Sequence, residues 1–265
     1  MNRSRAILRA MLIAILALLP FLAWELASRA SARTFFFFSS PTAILSDLVV
    51  YGRHDGLLTD LAASLAPAVT GLTLGALVGG ALGFALVAFP GTARVLRPIF
   101  AALAAFPVFV LAPMTIVWFA ADLLAGKVFL AFVSCVFVFL AAAYNGGLSA
   151  PSNLVQHLRT HGFTPMQEFL KLRLPCAMDW LLESLRTGVN LAMLGVFVGE
   201  YVIAEHGLAK VMIVEAGRYN ITRSLSAALC FTLAAWLLGM LAGALRGHSR
   251  NLVERISVSG KTRGR

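Results

Sequence analysis

Few side chains in this sequence have the type and spacing that chemistry needs. His157 and His161 stand four residues apart, the one-face helical spacing of a two-histidine metal site. The residues between them are Leu158, Arg159 and Thr160, with no glutamate to act as a base and no clear third ligand, so the pair reads as a solvated polar face and no metal is expected. His54, His206 and His248 are scattered singly, which leaves no Ser/His/Asp set for nucleophilic catalysis. Cys135, Cys176 and Cys230 form no C-x-x-C pair and suggest neither a metal cluster nor a disulfide framework. No G-x-x-x-x-G-K-[ST] occurs, so no nucleotide is held by a P-loop of this chain. Glu200 lies near the outer end of a long apolar run, where a carboxylate must pair, reach the interface or face water; it is a candidate for a solute path or gate.

The elements that position these residues are membrane helices. The 265 residues are 59% hydrophobic and only 13% charged, with a mean hydropathy of +0.84. A soluble domain carries about 25% charge. That much apolar surface needs the bilayer as solvent, and only closed backbone hydrogen bonding survives there, so the expected fold is an all-α membrane protein with about six spans. The formal charge of +10 falls in loops and at the termini, with no basic stripe interleaved with aromatics. Charge so placed fits topology signals and anionic lipid rather than nucleic acid.

Along the chain, residues 1–33 hold a basic start and a first apolar run from Ala10 to Trp24. Ala30-Ser31-Ala32 follows in the manner of a signal-peptidase site, but Glu25 and Arg29 interrupt the approach to it, and a retained first helix is expected. Residues 34–64 form an external segment in which four consecutive phenylalanines, Phe35 to Phe38, rest at the membrane interface and Ser40-Pro41 opens a helix to about Tyr51, closed by Gly52 and Gly56. Residues 65–246 form a five-span core, and residues 247–265 a basic tail. The second span carries Gly71, Gly75, Gly79 and Gly83, small residues at four-residue spacing that let a neighbouring helix approach closely. The third, about Ile99 to Ala121, contains Phe106, Pro107 and Pro113; prolines kink membrane helices and suit a pathway lining. The fifth is expected from about Trp180 to Ile203 and the sixth from about Leu225 to Leu245.

Between the fourth and fifth spans, within residues 150–178, lies the longest polar interruption of the core, Gln156 to Pro175. Two helix-compatible runs flank Gly162, and Leu174-Pro175 closes the second. With the N-terminus inside, fourteen Lys and Arg residues fall in inner segments against seven outside, Lys127 among the latter, which places both termini and this loop in the cytoplasm.

The interruption resembles the coupling-loop signature of permease subunits of bacterial binding-protein-dependent ABC importers: E-A-A, three residues, G, nine residues, I-x-L-P. Gly162 occupies the glycine, residues 163–171 make the nine, and Leu172-Arg173-Leu174-Pro175 stands for I-x-L-P. Gln156-His157-Leu158, followed by Arg159, stands where the family opens with E-A-A. From about Ser40 to Leu245 the order of smaller motifs is similar to the nitrate/sulfonate/taurine branch: Ser40-Pro41, the glycine-spaced second helix, Phe106-Pro107, Leu111-Ala112-Pro113, Leu185-Arg186-Thr187-Gly188, Glu200 and Gly207-Leu208-Ala209. Relatives often carry glycines where Ala120-Ala121 stand here.

The resemblance implies a type I importer permease in the bacterial inner membrane, without catalytic residues or a cofactor of its own, forming the path for a small polar or anionic solute. It also implies partners: cytoplasmic ABC ATPase subunits that bind ATP-Mg, an external solute-binding protein, and a second permease copy or a sister permease. Three other classes are weighed beside it. A secondary transporter or channel lacks an ionisable residue at mid-span, and a lipid enzyme lacks a His/Asp/Glu cluster. A non-transporting assembly subunit that docks a partner through the same loop stays open.

Overall fold

The computed structural model of the chain describes residues 2–119, 122–203 and 205–262, with the described side chains lying between Met11 and Ala244. Among the described residues all regular structure is helical: α1 Asn2–Arg29, α2 Ala32–Phe38, α3 Pro41–His54, α4 Leu57–Ala88, α5 Pro90–Ala104, a 3-10 turn Val108–Leu111, and α6 Ala112–Trp118. Then follow α7 Leu123–Leu148, α8 Ser152–Thr160, α9 Pro165–Glu168, a π-helical turn Phe169–Arg173, α10 Leu174–Ile203, α11 Leu208–Gly217 and α12 Ile221–Thr262. Among the described residues five helices are long and apolar enough to cross a membrane, and up to seven spans result if each of two bent helix pairs counts as one. The six expected from hydropathy fall inside that range. Ala120-Ala121 lie outside the described residues, as do the side chains of the basic tail.

The chain divides into two compact units, one of Met1–Leu61 with His206–Phe231 and the other of Ala62–Glu205 with Thr232–Arg265. The first unit is set by short-range caps. Ser31 and Thr34 form a reciprocal capping box that opens α2, and Ser40 caps α3 with Pro41 in its first turn. The four phenylalanines thus sit on a short exposed helix, and Phe36 stacks on Tyr219 at 6.1 Å between centroids. Gly52 lies inside α3; the chain turns at Gly56, whose φ of +78° suits a residue without Cβ. Buried Tyr51 donates to Asp60 Oδ2 at 2.8 Å, and the Gly207 N–H donates to Asp60 Oδ1 at 3.0 Å. Arg223 pairs with Asp47 at 2.9 Å and Asp55 at 2.7 Å, its guanidinium 4.7 Å from the centre of the Tyr51 ring. Helix α11 was not expected; Gly207 stands at its N-cap with a φ of +140°.

The second unit is organised around α7. A Cβ added at Gly71, Gly75, Gly79 or Gly83 of α4 would collide with α7 at Ala131, Cys135, the Val136 carbonyl or the Leu140 carbonyl. The same holds for α10, where Gly188 faces the Phe139 ring and Gly195 faces the Leu130 carbonyl and Ser134 Oγ. Two glycine-bearing helices therefore seat closely against α7, both reaching it at Ala131 and Phe139, the packing available where lipid removes any hydrophobic drive between helices. One expectation is corrected. The third span is not one kinked helix: α5 ends at Ala104, and the 3-10 turn with α6 leaves it at 78°. Pro107 precedes the 3-10 turn and Pro113 lies in the first turn of α6, so each proline begins a short helix, where its missing N–H costs nothing, instead of bending a long one.

Candidate functional site

The loop after α7 is built by local signals. Helix α8 ends in a Schellman turn: the Gly162 N–H donates to Arg159 O at 3.0 Å and the Phe163 N–H to Leu158 O at 3.1 Å, with Gly162 at φ +77°. Two residues later Thr164 caps α9, exchanging hydrogen bonds with Gln167 over Pro165. Lys171 lies 4.8 Å from the centre of the Phe163 ring. Gln156, His157 and Arg159 are exposed on α8, Leu158 is half-buried, and the two histidine rings sit 4.3 Å apart. No group of three or more metal-ligating side chains occurs among the described residues.

The second run does not stop at Leu174-Pro175. It passes through the π-helical turn, in which the Leu174 N–H donates to Phe169 O, directly into α10. Proline is tolerated here because the hydrogen-bond register changes by one residue just before it, and a residue in the first turn of the following helix needs no donor. Phe169 packs edge-on against Phe84 of α4 at 5.7 Å, while Leu172 and Leu174 are half-buried. The loop is thereby continuous with a membrane helix.

Sequence reasoning missed the residue at the centre of this junction. Glu168 is 4% exposed; its Oε2 accepts from Arg159 Nε at 2.9 Å and its Oε1 from Arg173 Nε at 2.8 Å, and Arg173 also donates to Gly147 O at 3.3 Å. The Arg159 hydrogen bond, assisted by that from Arg173, holds the Glu168 carboxyl below its usual range despite its burial. The available signal was the five-residue spacing of Glu168 and Arg173 across the start of a helix.

A second polar cluster joins α4, α7 and α10. Ser64 Oγ donates to Glu200 Oε1 at 2.6 Å, with both residues fully buried. Lys127, assigned to an external loop by charge counting, is 6% exposed in the first turns of α7, and its Nζ donates to Ala63 O at 3.0 Å. That carbonyl is available because Pro67, inside α4, has no N–H to give it. Glu200 is thus neither snorkelling nor open to water.

Of the remaining candidates, Phe106 and Pro107 line a cavity of about 550 Å³ with Phe109, Phe137, Leu194 and Gly195 among its walls. Pro113 is exposed on α6 and is not among those walls.

These features define a class: a polytopic helical membrane protein that carries a two-helix loop continuous with one of its spans. Residues 71–255 match the family described as binding-protein-dependent transport system inner membrane component, and the chain belongs to that family. It is the transmembrane permease subunit of an ATP-driven importer. A probable ABC transporter permease protein of Haemophilus influenzae is 29% identical over 206 residues, spanning 78% of this chain and 83% of that one. The formylaminopyrimidine transport permease protein ThiX of Halalkalibacterium halodurans is 28% identical over 70% of this chain and 73% of its own. The riboflavin transport system permease protein RibX of Chloroflexus aurantiacus is 31% identical over 57% of this chain and 56% of its own. An inward-facing structure of the MetNI methionine ABC transporter shares the fold at a TM-score of 0.62 and 19% identity, covering 72% of this chain and 95% of that one.

Proposed function

We propose that the loop Gln156 to Pro175 is the surface on which a cytoplasmic ABC ATPase, carrying ATP-Mg, docks, and that α10 carries the resulting motion into the membrane. The observation that supports this reading is the unbroken path from α9 through the π-helical turn into α10, pinned by Glu168 between Arg159 and Arg173. A π-turn is a place where a helix changes register at modest cost, which suits an element that must be rigid yet able to switch. Both termini then face the cytoplasm, an external binding protein delivers the solute, and a second copy or a sister permease completes the path. Gln156-His157-Leu158 leaves the outer turn of α8 without the family's carboxylate, so docking relies on the shape of the loop and on exposed Met166 and Leu170.

The order of motifs supports the nitrate/sulfonate/taurine branch, whose members also carry thiamine-precursor-like pyrimidines. The transported solute is small and polar or anionic. Capture of the partner tests the docking surface: tagged permease should retain its ATPase through purification, and loop variants of residues 156–175 that still insert in the membrane should lose it. Retention by every such variant refutes the reading.

A further inference from the structure

We infer that the cavity bordered by Arg97, Tyr144 and Asn145 is a binding site for the phosphate head of an anionic phospholipid. Its walls come from α4, α5 and α7, all within the second unit. Polar and apolar walls are segregated. Arg97, Tyr144 and Asn145 stand at the end next to the loop that follows α7, while Ala101, Ala104 and Phe137 lie toward the break after α5. The Arg97 guanidinium is 5.8 Å from the centre of the Tyr144 ring, and the Phe100 and Phe137 rings are 6.5 Å apart, so α5 and α7 run antiparallel along the cavity. From Arg97 to Ala104 is two helical turns, about 10 Å. A charged end and an apolar end so spaced match a phospholipid entering from the bilayer, with its phosphate at Arg97 and its first methylenes on the alanines.

Charge selects the ligand. Arg159, Arg173, Arg218 and Arg223 each hold a carboxylate, but among the described residues none pairs with Arg97, whose guanidinium lies over the Tyr144 ring. The guanidinium, the Tyr144 hydroxyl and the Asn145 amide can all donate, and paired N–H groups of an arginine suit phosphate oxygens. No carboxylate lines the cavity, so the ammonium of a zwitterionic head finds no counter-charge. The end of α7 and the start of α5 carry opposite helix dipoles that offset here, which leaves Arg97 to set the sign. About 210 Å³ is below the usual range of small-molecule sites and gives room for a headgroup, not a whole solute. Basic pockets between spans are where acidic lipid heads are held. The site lies on the membrane face that carries the loop Gln156 to Pro175, and the cytoplasmic placement proposed for that loop makes it the inner leaflet. Arg94, one turn earlier on α5, is exposed and is not among the walls.

The test uses the full chain, purified in dodecyl maltoside and delipidated, then titrated with phosphatidylglycerol or phosphatidylcholine, bound lipid being counted by native mass spectrometry. Phosphatidylglycerol should bind about fivefold more tightly than phosphatidylcholine. Excess glycerol 3-phosphate should not displace it, which separates a lipid from a free phosphate ester. Arg97→Gln should weaken binding about tenfold, the scale of a lost charge-assisted hydrogen bond. Ala104→Phe, which fills the apolar end, should weaken it several-fold, and Arg94→Gln should leave it near wild type; Tyr144→Phe serves if Ala104→Phe does not fold. Equal binding of the two lipids, wild-type affinity in Arg97→Gln, an equal loss in Arg94→Gln, or displacement by glycerol 3-phosphate overturns the inference. So does an absence of bound lipid because a second copy covers the cavity. ATPase capture measured on the same preparations keeps the readings apart: loss of the lipid preference with capture intact refutes this site alone.

Discussion

Ser64 Oγ donates to Glu200 Oε1 across 2.6 Å, tying α4 to α10 with no solvent access to either residue. A buried carboxylate is costly unless hydrogen bonds satisfy it, so the Ser64 hydroxyl stabilises Glu200 directly. Ser64→Ala should lower the thermal stability of the purified permease by about 1–3 kcal/mol, the penalty for a buried acceptor left short of a donor. Fluorescence-detected thermal unfolding reads this directly. A melting curve unchanged from wild type shows the hydrogen bond to be immaterial.

Lys127 and Pro67 should prove energetically coupled. Lys127→Met leaves the Ala63 carbonyl without the ammonium that it accepts from, and the protein should lose about 1–3 kcal/mol. Pro67→Ala restores a backbone N–H to that carbonyl. The double variant should therefore be more stable than Lys127→Met alone. Strict additivity in the double-mutant cycle refutes the assignment.

The Glu168 carboxyl is held below its usual range by Arg159 and Arg173, so its contribution to loop order is fully present above the ordinary carboxylate pKa. It is lost as pH falls through the depressed folded-state value. A spin label at Asn153→Cys should keep the same mobility from pH 7 to below pH 5 and loosen only in stronger acid. Glu168→Gln should loosen the loop at every pH. Loosening of the wild type around pH 6 contradicts this, because that midpoint belongs to histidine.

Gly162 holds φ +77° with open space around its Cα, so substitution strains the backbone without a steric clash. A β-branched residue costs about 1–2 kcal/mol in this conformation, and Gly162→Asn costs less. Gly162→Val should insert in the membrane normally yet uncouple ATP hydrolysis from uptake in reconstituted vesicles, while Gly162→Asn stays near wild type. Normal uptake by Gly162→Val would falsify the mechanical role of the turn.

Gly79→Leu should prevent assembly of the core, since even a Cβ there collides with the Val136 carbonyl of α7. At Gly91, where nothing lies near, the same substitution should be tolerated. Monodispersity on size exclusion separates the two.

What the sequence alone determined is what depends on neighbours along the chain. Hydropathy set the helical membrane class, because the bilayer thickness demands long apolar runs whatever their partners. Ser40-Pro41 and Gly162 announced a helix start and a bend, because caps and left-handed turns are decided within a few residues. The family frame around Gly162 located the loop for the same reason. Three features were decided only by tertiary structure. Lys127 counts as a loop cation until α4 is laid beside it and the carbonyl released by Pro67 is found. Glu168 is an ordinary acid until the Schellman turn brings Arg159 back upon it from nine residues away. Leu174-Pro175 reads as a stop because proline breaks helices, yet the chain continues through a π-turn that packing of Phe169 on Phe84 holds in place. In each case the deciding partner is another backbone segment, and which segment that is depends on how the helices pack.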